Sequence, residues 1–195
     1  MNAVQPQFVG ILLVAGFVFS GCGLLYRTAA FQRQDHRLCS SLHLKLSSRI
    51  NFFRTLWLVG KTPFMIAMLG VLFFSGWSSG FLAAFLYGMI ACIERLLKLT
   101  VKRQRPFSVL PDVRMFQPWQ PHDPSHPSGD AMRVWYLAFV IPIAFGLPLV
   151  VFSFFCCIAV LVSFGRIALG VHFPLDVIGG MGLGLIGAGL YQLWS

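Results

Sequence analysis

The sequence predicts an all-α integral membrane bundle of six transmembrane helices, with an amphipathic interfacial helix between the first two. Three observations carry that expectation. Of 195 residues, 57% are hydrophobic and only 11% charged, whereas soluble domains carry roughly 25% charged residues. The apolar residues gather in runs that approach the length of about 20 residues needed to cross a bilayer core. All 15 basic residues fall on one face of the alternating spans, or in the helix ends leading to it. Six spans fill most of the chain, so residues 1–195 read as a single membrane domain.

The first span is Phe8 to Tyr26, which carries no charge. Met1 to Gln7 has no Lys or Arg, so the basic region of a cleaved signal peptide is missing and the run reads as a retained span. Arg27 to Lys61 is polar, yet Leu38, Leu42, Leu46, Ile50, Phe53 and Trp57 recur at spacings of three and four. Lys45 and Arg49 lie off that stripe. This is the pattern of a basic amphipathic helix in the membrane interface. Gly60 and Pro63 punctuate the chain before the second span, Phe64 to Trp77, a short run that reaches back toward Leu56. Ser78, Ser79 and Gly80 form a turn into the third span, Phe81 to Leu97. Thr100 to Pro127 is a loop rich in proline, basic residues and histidine. The fourth span is Ala131 to Phe145, and the fifth follows the Gly146–Pro148 turn to Phe164. The sixth, Pro174 to Trp194, carries Gly179, Gly180, Gly182, Gly184, Gly187 and Gly189, small residues that let helices approach closely in lipid.

The net charge of +9 points to anionic headgroups or an anionic substrate. So little water-facing surface argues against a nucleic-acid partner. Cys22, Cys39, Cys92, Cys156 and Cys157 show no metal or disulfide spacing and read as small hydrophobes. Counting Lys and Arg alone, the basic face belongs in the cytoplasm. Oligomeric state is not encoded in any recognisable pattern.

Three clusters share that face. Lys98 and Arg105 flank the end of the third span, seven residues apart, and point along one side if the helix continues that far. Ser128, Gly129 and Asp130 open the fourth span, where free N–H groups favour an anion. Arg166, His172 and Asp176 lie between the fifth and sixth spans. Guanidinium forks suit phosphate oxygens. A carboxylate four residues from an imidazole can hold it in one tautomer and leave the other nitrogen free to attack. The clusters offer too few His, Cys and carboxylate neighbours for a metal site, so neither metal nor cofactor is expected. Lys102, Arg103 and Arg114 read as interfacial anchors, and His36 and His43 as bystanders at the same boundary. Glu94 and Arg95 are costly in lipid and are expected to face the bundle.

Over roughly residues 81–190 these blocks resemble the type 2 phosphatidic acid phosphatases and the related vanadium haloperoxidases. Lys98…Arg105-Pro106 matches that family's Lys-x6-Arg-Pro block. Pro127-Ser128-Gly129 matches three positions of Pro-Ser-Gly-His. Arg166…His172…Asp176 matches the third block, with Gly165 where the family has Ser. The resemblance implies a six-helix core and metal-independent hydrolysis of a phosphorylated membrane lipid such as phosphatidate, phosphatidylglycerophosphate, an isoprenoid diphosphate or a lipid A phosphate. It implies that His172 forms a phosphohistidine, that Asp176 orients it, and that Lys98, Arg105, Arg166, Ser128 and backbone N–H groups hold the phosphate. It also implies a catalytic face outside the cell or in a lumen, against the charge count.

One departure has chemical consequences. Asp130 stands where the family has the histidine that protonates the leaving group. Asp130 could serve as the acid if burial keeps it protonated, His126 or His122 could reach in from the loop, or the site could bind phosphate and turn over poorly. A diphosphate lipid expels a phosphate monoester, a far better leaving group than an alkoxide, so the departure predicts a preference for lipid diphosphates. The alternatives are an inactive relative that binds anionic lipid or a partner protein, and a lipid phosphotransferase.

Overall fold

The structure, a computed structural model, describes residues 6–195. Every regular element among the described residues is helical: α1 (Pro6–Gly23), α2 (Ala29–Leu46), α3 (Ile50–Leu56), α4 (Thr62–Leu72), α5 (Trp77–Val101), α6 (Pro106–Val109), α7 (Gly129–Ala144), α8 (Leu149–Ala168) and α9 (Pro174–Trp194). Four helical stretches are long and apolar enough to cross a membrane: 7–27, 77–109, 149–168 and 174–194. A fifth appears if the pair 29–60 and 62–75, bent by 50° between its halves, counts as one. The sequence expected six spans. The expected fourth span falls on α7, whose 16 residues are short of a full span.

Helix α9 is the hub, packing against α1, α7 and α5. Its glycines make that possible. A Cβ at Gly180 would stand 2.2 Å from the Ser128 carbonyl oxygen, and one at Gly182 would stand 2.4 Å from the Ser20 nitrogen. The α7–α9 approach places the Ser128 N–H 2.9 Å from the Asp176 carbonyl oxygen, so the second and third sequence blocks are joined through backbone.

Two expectations need correction. The helix bearing Lys98 stops at Val101, and Lys102 takes a left-handed conformation with φ of 49°. Arg105 lies beyond it in extended backbone, because the residue before a proline is pushed out of the α region. Lys98 and Arg105 are therefore brought together by a turn and not by one helical face. In α2 the buried positions are Asp35, Cys39 and His43, while Leu38 is exposed. Polar and small side chains take the most buried positions, Leu42 and Leu46 pack half-buried against core side chains beside them, and of the expected stripe in α2 it is Leu38 that faces outward.

Candidate active site

Three chain reversals build the site. The left-handed Lys102 turn delivers Arg105. Ser128 caps α7, its hydroxyl oxygen 3.4 Å from the Ala131 N–H, and puts Gly129 and Asp130 in the first turn. After α8, Gly170 adopts φ of +74°, and a Cβ there would meet the Arg114 carbonyl oxygen at 2.3 Å. That turn folds the His172 N–H back to 3.3 Å from the Arg166 carbonyl oxygen, so guanidinium and imidazole are tied through one backbone bond. Pro174 then starts α9 and fixes Asp176 at its third position, where its carboxylate accepts the Phe173 N–H at 2.9 Å.

These reversals converge on a cavity of about 160 Å³ lined by Lys98, Arg105, Gly129, Asp130, Arg166 and His172, and also by Lys61, Gln117, Asp123 and Arg133. Arg105 Nη1 lies 3.3 Å from His172 Nε2. Guanidinium can only donate, so Nε2 is the acceptor nitrogen and Nδ1 carries the proton. His172 Nδ1 faces Ser125 Oγ at 3.5 Å and Asp176 Oδ2 at 3.8 Å. Burial, and next the Arg105 guanidinium, push the imidazole down to about 3, so it is neutral at physiological pH. Arg166 is 3% exposed. Its Nη2 donates to Gln117 Oε1 at 2.6 Å and its Nη1 pairs with Asp130, while Nε has no hydrogen-bond partner. A buried donor left open in this way is rare and marks a place for an anion.

Asp123, from the loop before α7, reaches into the same space. It pairs with Lys98 and accepts from Arg105 Nη2 at 2.8 Å. Burial acts to raise its carboxyl, but Lys98 and Arg105 outweigh burial and hold it well below the usual carboxylate range. Lys98 also meets Glu94 at 2.7 Å. Asp130 is flanked by guanidinium groups, with Arg133 Nη1 2.6 Å from one oxygen and Arg166 Nη1 2.9 Å from the other. Neither partner can accept a hydrogen bond, so the surroundings suit an anion and not a proton donor.

Behind the imidazole, Asp176 is 0% exposed and has four further polar neighbours besides His172. Arg103 Nη1 lies at 2.7 Å, Ser125 Oγ at 2.5 Å, the Phe173 N–H at 2.9 Å and His126 Nδ1 at 3.3 Å. Arg103 bridges onward to Asp35 at 2.6 Å and is sandwiched between the Tyr26 and Phe173 rings, each 4.1 Å away. The reading of Arg103 as an interfacial anchor is therefore corrected: it is buried, because two buried carboxylates need a shared counter-ion. His43 is no bystander either. It is buried, near the Ile167 carbonyl oxygen at 3.4 Å, and accepts the Arg114 N–H at 3.2 Å.

The structure thus gathers Lys98, Arg105, Gly129, Asp130, Arg166 and His172 around one cavity, with Asp176 directly behind. Ser128 serves as a helix cap outside the lining, and His126 sits beyond Asp176. His122 lines a separate, more open cavity on the outer side of the loop. Sequence reasoning missed Lys61, Asp35, Gln117, Asp123, Ser125 and Arg133. Asp123 and Ser125 stand beside the second block, and Arg133 one helical turn after Asp130, which is the signal that was available for those three.

The PAP2 superfamily model matches residues 79–195, a segment that contains all three blocks and excludes residues 27–61. The chain belongs to the PAP2 superfamily. Relatives of this PAP2 chain include phosphatidylglycerophosphatase B of Bacillus subtilis, 29% identical over 142 residues covering 66% of each protein. Another is undecaprenyl-diphosphatase of Sulfolobus acidocaldarius, 37% identical over 87 residues, 45% of this chain and 41% of the relative. The chain thus spans less than two thirds of the length of each. Among solved structures, the transmembrane PAP2-type phosphatidylglycerolphosphate phosphatase of Bacillus subtilis superposes with a TM-score of 0.74 at 25% identity, covering 93% of this chain and 94% of that one. LpxE of Aquifex aeolicus gives 0.64 at 28% identity, covering 78% and 94%. Apolar helices and a membrane PAP2 neighbour of nearly equal extent make this a multi-pass integral membrane protein.

Proposed function

We propose that this PAP2 protein is a membrane lipid phosphatase that removes the terminal phosphate of a lipid diphosphate, and less readily that of a lipid monophosphate, through a phosphohistidine at His172. The observation that carries the reading is the pairing of a neutral imidazole, Nε2 3.3 Å from Arg105, with the buried Arg166 guanidinium, whose Nε is left open, in one cavity. In the proposed reaction the terminal phosphate takes the donors of Arg105, Lys98 and Arg166. Nε2 forms a bond to phosphorus as the bond from phosphorus to the leaving oxygen breaks. The guanidinium groups stabilise the charge on the phosphoryl group in transit. Water then forms the new P–O bond, the N–P electron pair returns to Nε2, and the water's surplus proton passes to solvent.

The preference for a diphosphate follows from Asp130. With each of its oxygens beside a guanidinium, it is poorly placed to protonate an alkoxide. A phosphate-monoester leaving group needs no such help. The undecaprenyl-diphosphatase among the relatives is in keeping with an isoprenoid diphosphate, and the phosphatidylglycerophosphatase with a lipid monophosphate as the slower substrate. In the proposed topology α1, α4, α5, α7, α8 and α9 span the bilayer, α2 and α3 lie in the interface, and the site opens to the cytoplasm. The same arrangement around Asp130 is what favours the second reading, a PAP2 relative that binds anionic lipid without turnover.

Purified protein offered polyprenyl diphosphate, polyprenyl phosphate and phosphatidate tests the choice. The phosphatase reading expects phosphate release fastest from the diphosphate and abolished by His172→Ala. No release from any of the three leaves the binding reading standing.

A further inference from the structure

We infer that Lys61, with Thr62 and Arg133 beside it, binds the lipid-proximal phosphate of a diphosphate substrate; the inference rests on the diphosphate reading above. Lys61 ends the interfacial segment and immediately precedes α4, and no motif in the sequence attaches it to the site. It nevertheless lines the cavity that holds His172. Its cationic neighbours there are all paired. Lys98 is bound by Glu94 and Asp123, Arg105 by Asp123, and Arg133 and Arg166 by Asp130. Among the described residues Lys61 has no carboxylate within salt-bridge distance. Its Nζ instead rests 4.3 Å from the centre of the Trp57 ring. An aromatic face holds a cation in place without neutralising it, so Lys61 can meet an incoming anion without releasing a partner.

The surrounding helices indicate which anion. Lys61 and Thr62 come from the start of α4, Arg133 from α7 and Arg166 from α8. Those three helices run on together and enclose a second cavity of about 170 Å³, lined only by apolar side chains, among them Phe64, Met68, Leu137 and Phe155. A hydrocarbon chain lodged there joins its phosphates at the α4 and α7 side of the polar cavity. The phosphate attached to the chain then lies by Lys61 and Arg133, and the terminal phosphate lies by His172, Arg105 and Arg166. A lipid monophosphate has only the second of these to offer. Lys61 therefore discriminates between the two substrate classes while taking no part in bond cleavage.

Calorimetry on detergent-solubilised protein tests this with methylenediphosphonate, a diphosphate that cannot be hydrolysed, against inorganic phosphate. Removing a charge-assisted hydrogen bond weakens binding by about tenfold or more. Lys61→Gln is expected to weaken the diphosphonate by that factor, to leave phosphate within about twofold, and to be rescued by Lys61→Arg. Lys61→Met serves as a second neutral variant should Gln disturb folding. Equal weakening of both anions, or of neither, overturns the assignment. Because binding alone is read, this outcome is separate from the phosphatase reading, which fails if wild-type protein releases no phosphate from polyprenyl diphosphate.

Discussion

Arg103 and Asp176 meet at 2.7 Å in the protein interior, so the carboxylate behind the His172 imidazole is held by a guanidinium from outside the three sequence blocks' matched positions. Asp35 of α2 holds the other end of Arg103 at 2.6 Å. Helix α2 is thereby joined to the centre of the PAP2 core by a chain of two buried ion pairs.

That chain makes Arg103 a positioning residue. Removing one partner of a buried pair costs about 3–5 kcal/mol, and Arg103→Leu strands two carboxylates at once. Thermal unfolding in detergent is expected to shift to a much lower temperature, and phosphate release to fall with it. Asp35→Asn keeps the shape and some hydrogen bonding, so its effect is expected to be the smaller. Equal stability of wild type and Arg103→Leu would refute this role.

Asp123 occupies the cations that an incoming phosphate needs, pairing with both Lys98 and Arg105. Its side chain is 32% exposed, so the competition is partly screened by solvent. Asp123→Asn is expected to tighten inhibition by inorganic phosphate by about two- to fivefold, the scale of a half-exposed pair. Weaker inhibition would show that the carboxylate assists binding.

The His172 imidazole takes a proton only near pH 3 in the folded protein, against about 6.5 for an unperturbed histidine. Between those values the unfolded chain holds more protons than the folded one. The stability linked to His172 is therefore complete above about pH 6.5 and declines as pH falls toward 3. Nitrogen NMR of histidine-labelled protein, assigned with His172→Gln, is expected to show a neutral imidazole down to pH 5. A titration midpoint near 6.5 would contradict the assigned environment.

Membrane orientation is open to a direct check at Ser48, an exposed residue between α2 and α3. In the proposed orientation, which turns the basic segment to the cytoplasm, a Ser48→Cys protein in intact cells is expected to escape an impermeant thiol reagent. Modification of residue 48, above the background of the native cysteines, would place the site on the opposite side.

The helical class and the paired blocks are legible in the sequence because membrane helices and phosphate chemistry both leave dense local signals. Apolar runs mark α1, α5, α8 and α9, and Lys98, Arg105, Arg166 and His172 announce themselves by type and spacing. Contacts that depend on the third dimension are hidden. Arg103 looks like any basic residue in a basic loop, and only the fold brings Asp35, distant in sequence, against it. Leu38, Leu42 and Leu46 suggest which side of α2 is buried, but nothing in their spacing reports that Asp35, Cys39 and His43 take its most buried positions. The spacing from Lys98 suggests a helix through Arg105, yet Pro106 ends it, a proline the sequence does display. Lys61 belongs to a segment that reads as interfacial, and nothing local reports that the end of that segment turns into the cavity.

The central claim is that the His172 ring becomes phosphorylated. Rapid acid-free quenching of protein mixed with labelled polyprenyl diphosphate tests it most directly. The account predicts a phosphoenzyme that survives alkali, is lost in acid, and is absent from His172→Ala. Turnover of the diphosphate by wild-type protein with no such species, or the same species in His172→Ala, would contradict it.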